Sequence, residues 1–341
     1  MIVVMQEGCP KKDVEHVCRL IREMKLKDHV IVGTERTVVA VIGDDRYKDR
    51  SVLESCPGVD RVVPILAPYK IASRQTKGEP SVIALGGGLG ATAGGKRICV
   101  IAGPCSVEDR SMLMEVARAV KEAGATGLRG GAYKPRTSPY QFQGLGEKGL
   151  EILAEAGRET GLAVVTEVMS IEQIEVVARY ADVLQVGTRN MHNFNLLAAI
   201  GEKTRKPVLL KRGWSATLDE FLLAAEYIIT AGNPNVILCE RGIRTHEDYV
   251  RNTLALAIVP AVKRESHLPI IVDPSQGTGR AYMVPAMCRA AVAAGADGLI
   301  IEVHRDPEHA LTDGAQSVTP ETLAGLMKEL KAIATAVGRE I

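Results

Sequence analysis

Eight short apolar runs, each leading into a polar loop, most constrain how this chain folds. They are Ile98–Ala102, Thr126–Leu128, Ala163–Thr166, Val183–Val186, Val208–Leu210, Val236–Leu238, Ile270–Val272 and Gly298–Ile301. Continuous apolar runs of this length read as strands covered on both faces. Between them, Ser111–Ala123, Gly149–Thr160, Ile171–Tyr180, Leu218–Ala231 and Tyr282–Ala294 carry apolar residues at helical spacing, and Pro320–Val337 follows the last run. Strands alternating with helices eight times predict an α/β chain, with a (β/α)8 barrel over residues 83–341.

Ahead of the barrel the texture differs. Met1–Met5 is apolar, and Lys11–Met24 places Val14, Val17, Cys18, Leu20 and Ile21 on one helical face. Val30–Gly33 and Thr37–Ile42 are β-branched, a short helix is expected near Asp49–Cys56, and Val59–Leu66 closes the unit. Strand, helix, two strands, helix, strand is the ferredoxin-like βαββαβ order. The expected division is a ferredoxin-like domain at 1–66, a linker at 67–82 and the barrel at 83–341.

Bulk composition excludes several classes of function. The 341 residues carry a net charge of +1, which gives no general attraction to nucleic acid or membrane surfaces. No apolar run is long enough to span a bilayer, and MIVVMQEG lacks the layout of a signal peptide. The seven cysteines are scattered without a CxxC pair, so a disulfide framework is not expected and a reducing cytoplasm fits. Gly90–Lys96 approaches a P-loop, but Arg97 stands where Ser or Thr should be and a strand follows instead of a helix; a glycine-rich turn is the expectation.

The strand ends carry the chemistry. Cys105, Arg129, Glu167, Arg189, Lys211, Arg241, Asp273 and Glu302 each fall at or just beyond the C-terminal end of a predicted strand. In a barrel those ends share one face, where active sites form. Four of the eight are cations, so the mouth is expected to bind anions. Arg129, Arg189, Lys211 and Arg241 can converge on one phosphate and carboxylate. The segment Leu128–Gly144 adds Lys134, Arg136, Thr137 and Ser138 among glycines, a second phosphate cradle. Cys105, Glu302 and Asp313 are a plausible divalent-metal set, weakly signalled by spacing alone. His304, two residues beyond Glu302, is read as a loop or supporting residue.

Together AGPCSVE, LRGGAYKPRTSPYQFQGLGEKGL, VVTEV, QVGTRN, PVLLKRG, ILCERGIRT, SHLPIIVDPS and IIEVHRDPEHALTDGAQS resemble 3-deoxy-D-arabino-heptulosonate 7-phosphate (DAHP) synthase. The N-terminal domain resembles that of the feedback-regulated type I-beta branch. The resemblance implies condensation of phosphoenolpyruvate with erythrose 4-phosphate, the entry to aromatic amino-acid synthesis. It implies Arg129, Lys134, Arg189, Lys211 and Arg241 for phosphoenolpyruvate, and Lys134, Pro135, Arg136, Thr137 and Ser138 for erythrose 4-phosphate. Glu167 matches an acidic residue near the reacting carbons, and Cys105, Glu302 and Asp313 match three of four ligands of a divalent metal such as Mn²⁺; the chemistry itself leads us to expect Lys134 as proton donor to the aldehyde oxygen and Glu167 as base to the attacking water. A homo-oligomer, tetrameric by resemblance, with an aromatic amino-acid effector such as tyrosine or phenylalanine, is also implied.

Two positions depart from the family. Its Asp-Pro-Ser-His motif, whose histidine is a metal ligand, reads Asp273-Pro274-Ser275-Gln276 here. Three readings stay open: Gln276 as a weakened amide-oxygen ligand, His304 or a water in its place, or a site that dispenses with metal or is crippled without it. Thr188 replaces the usual alanine. Two rival functions are also weighed. One is 3-deoxy-D-manno-octulosonate 8-phosphate synthase, whose loop carries Lys-Ala-Asn-Arg-Ser in place of Lys134–Ser138. The other is a non-catalytic sensor of phosphoenolpyruvate.

Overall fold

The computed structural model describes residues 1–33, 36–43, 50–63, 68–134, 138 and 140–341. The chain divides into two compact units, Met1–Pro80 with Arg264–His267 and Ser81–Lys263 with Leu268–Ile341.

The first unit is built on β1 (Ile2–Met5), β2 (Lys27–Val32), β3 (Thr37–Ile42) and β4 (Val59–Val63). Their order in the sheet is β2-β3-β1-β4, with every neighbouring pair antiparallel. Helices Lys11–Glu23 and Ser51–Glu54 supply the crossovers, as the βαββαβ reading expects. Val17, Cys18 and Ile21 lie on the buried face of the longer helix and pack with Val3, Met5, Val39, Val41 and Leu53. β2 starts three residues earlier than the apolar pattern suggests, because polar Lys27, Asp28 and His29 pair with Ile42, Val41 and Ala40. An edge strand half open to water tolerates such residues. The turn residues Thr34 and Glu35 and the expected strand end at 64–66 lie outside the described residues. Residues after 67 belong to this unit as well: Tyr69, Ile71 and Ala72 are buried, and His267 Nε2 lies 2.8 Å from the Ile71 carbonyl.

The second unit begins with a hairpin, β5 (Ile83–Gly86) and β6 (Ala91–Ala93), turning at residues 87–90; of the expected glycine-rich turn Gly90–Lys96, Ala91–Ala93 is therefore strand. Ile83, Leu85, Ala91 and Ala93 join barrel residues such as Ile101, Val165, Leu209 and Ile300 in one buried cluster. The eight barrel strands are β7 (Cys99–Gly103), β8 (Gly127–Arg129), β9 (Ala163–Glu167), β10 (Val183–Val186), β11 (Val208–Lys211), β12 (Val236–Glu240), β13 (Ile270–Val272) and β14 (Gly298–Glu302). They are parallel and closed, β14 pairing with β7. Each coincides with a predicted run to within one or two residues. Helices Phe194–Lys203 and Ile258–Glu265 complete the alternation where the periodicity had singled out none. Among the described residues no helix is long and apolar enough to cross a membrane, and all seven cysteines are free.

Candidate active site

Because all eight strands run the same way, their C-terminal residues meet at one mouth. A cavity of about 300 Å³ opens there, lined by Arg129, Lys134, Glu167, Arg189, Lys211, Arg241, Gln276 and Asp313 from the predicted set. Gln185, Gly187, Thr188, Trp214, Arg244, Arg251 and Asn252 also line it. Among the described residues, seven cationic side chains face two carboxylates, so the space favours a small, multiply charged anion.

Several cations are held rigidly. Lys211 Nζ is 2.5 Å from Asp273 Oδ2, and neither side chain is more than marginally exposed. Burial opposes charge on Asp273, yet Lys211 and then Arg129 hold its carboxyl below the ordinary range. Arg129 donates through Nε to Pro104 O at 3.2 Å and through one terminal nitrogen to Cys105 O at 3.3 Å. Its other terminal nitrogen lies 3.2 Å from Glu302 Oε1 without hydrogen-bond alignment, and is fully buried. A buried N–H left without a bond is costly and is available to an incoming oxygen. Burial pulls the Arg241 pKa down.

Lys134 bridges two parts of the mouth. Its ammonium donates to the sulfur and the carbonyl oxygen of Cys105, each at 3.0 Å. Ser138 is half-buried in the same loop. Pro135, Arg136 and Thr137, assigned by sequence to the second phosphate, lie outside the described residues. Glu167, at the end of β9, accepts from Gln185 Nε2 at 3.3 Å. Space for its carboxylate depends on Gly187, where an added Cβ would sit 2.0 Å from Glu167 Oε1.

Beside Lys134, ligand atoms of Cys105, Glu302 and Asp313 all lie within 4.8 Å of one another. A thiol and two carboxylates in that spacing suit a divalent ion. Burial, then Glu302, push the Cys105 thiol up to about 11, although Lys134 works against them. The fourth position fits less well. Gln276 turns its Nε2 toward Glu302 Oε1 (2.9 Å) and Asp313 Oδ2 (3.3 Å), while its Oε1 accepts from Arg241. His304 does not fill the place: its Nε2 faces Glu108 Oε2 at 3.5 Å and its Nδ1 accepts from the Asp306 amide.

The sequence reading missed Trp214, Arg244 and Arg251. The guanidinium carbons of Arg189 and Arg244 lie 5.3 and 4.6 Å from the Trp214 ring centre. Arg251 donates to Asp313 Oδ1 at 3.3 Å and Gln316 Oε1 at 2.7 Å. Trp214 and Arg244 each stand three residues past a strand-end cation, Lys211 and Arg241, a spacing that a search confined to strand ends passes over.

Residues 82–336 match the DAHP synthetase I family, and residues 1–67 match the DAHP synthase ferredoxin-like domain. A phospho-2-dehydro-3-deoxyheptonate aldolase from Thermotoga maritima is 51% identical over 341 residues, the whole of both chains. A crystal structure of phospho-2-dehydro-3-deoxyheptonate aldolase (DAHP synthase) from the same organism aligns with a TM-score of 0.79, covering 99% of this chain and 98% of that one. A 2-dehydro-3-deoxyphosphooctonate aldolase from Syntrophobacter fumaroxidans is 34% identical over 71% of this chain and 89% of its own.

Proposed function

The chain belongs to the DAHP synthetase I family, and on that premise we propose how its residues carry the reaction. It condenses phosphoenolpyruvate with erythrose 4-phosphate and water to give DAHP and phosphate, the first step of the shikimate pathway. The observation that carries this over the octulosonate alternative is the extent of similarity. The heptonate aldolase matches end to end, ferredoxin-like domain included, whereas the octonate relative matches 71% of the chain.

Arg129, Arg189, Lys211 and Arg241 bind the phosphate and carboxylate of phosphoenolpyruvate. The buried, unbonded N–H of Arg129 supports its place in that set. Erythrose 4-phosphate enters over Lys134, Pro135, Arg136, Thr137 and Ser138, its aldehyde toward the enol carbon. The enol C3 attacks the aldehyde carbon, and the aldehyde oxygen takes a proton from Lys134. Positive charge then develops at C2, where water adds as Glu167 takes its proton. The hemiketal phosphate breaks the bond from C2 to the phosphate oxygen as the C2 hydroxyl gives its proton to the departing phosphate, leaving a ketone and inorganic phosphate. Cys105, Glu302 and Asp313 would hold a divalent ion, Mn²⁺ or Mg²⁺ suiting the oxygen-rich set; when bound, it supplies Lewis-acid polarisation of the aldehyde oxygen.

Residues 1–66 act as a regulatory domain, joined by 67–82 to the catalytic barrel of 83–341. Its effector is an aromatic amino acid, and the enzyme works as a cytoplasmic homo-oligomer. The ferredoxin-like match over residues 1–67 supports this reading. Phosphate release measured with phosphoenolpyruvate and either erythrose 4-phosphate or arabinose 5-phosphate tests the substrate assignment. Turnover is expected with the four-carbon sugar, and a preference for the five-carbon sugar would overturn it. Binding of phosphoenolpyruvate with no turnover across Mn²⁺, Mg²⁺ and Zn²⁺ would point to the sensor.

A further inference from the structure

Gln276 sits against the two carboxylates of the Cys105–Glu302–Asp313 cluster with its hydrogen-bearing nitrogen toward them. Nε2 donates to Glu302 Oε1 at 2.9 Å and to Asp313 Oδ2 at 3.3 Å. Oε1, the side chain's one good cation ligand, accepts from Arg241 at 3.2 Å. The backbone N–H of Gln276 is fixed by Asp273 Oδ1 at 2.9 Å, so the residue is anchored in the short helix Pro274–Thr278 that follows β13.

The remaining carboxylate oxygens are also taken. Gln316 Nε2 donates to Glu302 Oε2 at 2.7 Å, and Arg251 to Asp313 Oδ1 at 3.3 Å. Cys105 Sγ adds a second donor to Asp313 Oδ2 at 3.2 Å. Every oxygen of the two carboxylates therefore meets a donor from the chain itself. Neighbouring carboxylates can be relieved by a cation or by hydrogen-bond donors. A carboxamide with its –NH2 inward does the second, and its hydrogens point where an ion would need lone pairs. Histidine at this position would present a lone pair and no such bridge.

We propose that Gln276 and a divalent cation are alternative occupants of the Cys105–Glu302–Asp313 cluster. The carboxamide braces the two carboxylates in the ion-free enzyme. An ion is held only after the carboxamide turns about Cγ–Cδ, giving up its bonds to Glu302, Asp313 and Arg241. The cluster consequently binds the ion weakly and exchangeably, keeping its shape between binding events. This inference rests on reading the cluster as the metal site of the condensation described above.

The test is Mn²⁺ binding to the chelator-stripped, full-length protein without substrates, by calorimetry, with Gln276→His and Gln276→Glu alongside. Each variant exchanges the inward –NH2 for a lone pair or an oxygen. Each is expected to bind Mn²⁺ about tenfold tighter or more, the scale on which groups around a metal tune affinity. Mn²⁺ is also expected to raise the melting temperature of the variants more than that of the wild type. Folded variants that bind no more tightly than the wild type would overturn the proposal. So would wild-type protein that keeps one ion per chain through dialysis against chelator, a result that needs no variant. Because binding is read without substrate, the predicted affinity order in an enzyme that never turns over would count against the condensation and leave this inference standing.

Discussion

The ammonium of Lys134 donates at 3.0 Å to both the sulfur and the carbonyl oxygen of Cys105. One side chain thus ties the loop after β8 to the first strand end of the barrel. Burial opposes its charge, but Cys105 and Glu167 more than compensate, and its pKa is raised. A raised pKa fits the proton-donor role proposed for Lys134. Replacing it with methionine removes both proton and anchor, and kcat/KM is expected to fall by about 10²–10⁴. Steady-state kinetics check this; a loss confined to KM would remove Lys134 as the proton donor.

Glu167 and Gly187 form a second testable pair. Glu167→Gln keeps the shape and abolishes the base, so kcat is expected to drop about 10²-fold with KM nearly unchanged. Gly187→Ala leaves the base intact and displaces it, since the new methyl would overlap Glu167 Oε1. The flexible carboxylate can swing aside, so the cost is expected in kcat while the melting temperature stays near wild type. If Gly187→Ala unfolds the protein yet Glu167→Gln turns over at full rate, Glu167 is not the base.

The strand ends were legible because barrel strands are buried on both faces, which makes Val208–Leu210 or Ile270–Val272 continuous apolar runs. A polar residue at such a run's end has only the mouth to face. Arg129, Lys211 and Glu302 were found in this way. β2 was misjudged at its start because an edge strand need not be apolar, and Lys27–His29 pair by backbone alone. Trp214 and Arg251 lie in loops, where no period marks which side chains turn inward. The orientation of Gln276 depends on Arg241, Glu302 and Asp313, which come from separate elements, and no local pattern encodes it.

His267 links pH to stability in the first unit. Burial lowers its pKa to about 4, against an ordinary 6.5, and its neutral ring donates to the Ile71 carbonyl. Between those values the unfolded chain binds the extra proton. Stability from this residue is therefore complete above pH 6.5 and lost as the pH falls toward 4, by about 3 kcal/mol in all. Denaturant unfolding at pH 7.5 and 4.5 should show that loss, and His267→Gln should flatten it. An equal pH dependence in the variant would assign the effect to other groups.

Deleting residues 1–66 is expected to leave condensation activity and abolish inhibition by aromatic amino acids. Initial rates with and without tyrosine or phenylalanine, on full-length and shortened protein, check this. Inhibition that survives the deletion would place the effector site in the barrel.

The condensation itself is tested most directly by following one oxygen. Phosphoenolpyruvate labelled with heavy oxygen at the bridge between C2 and phosphorus is incubated with erythrose 4-phosphate and the full-length enzyme. Water attack at C2 followed by C2–O cleavage sends the label into inorganic phosphate, alongside a seven-carbon sugar acid phosphate. Label retained in the sugar product, or no phosphate released at all, would contradict the chemistry assigned to this mouth.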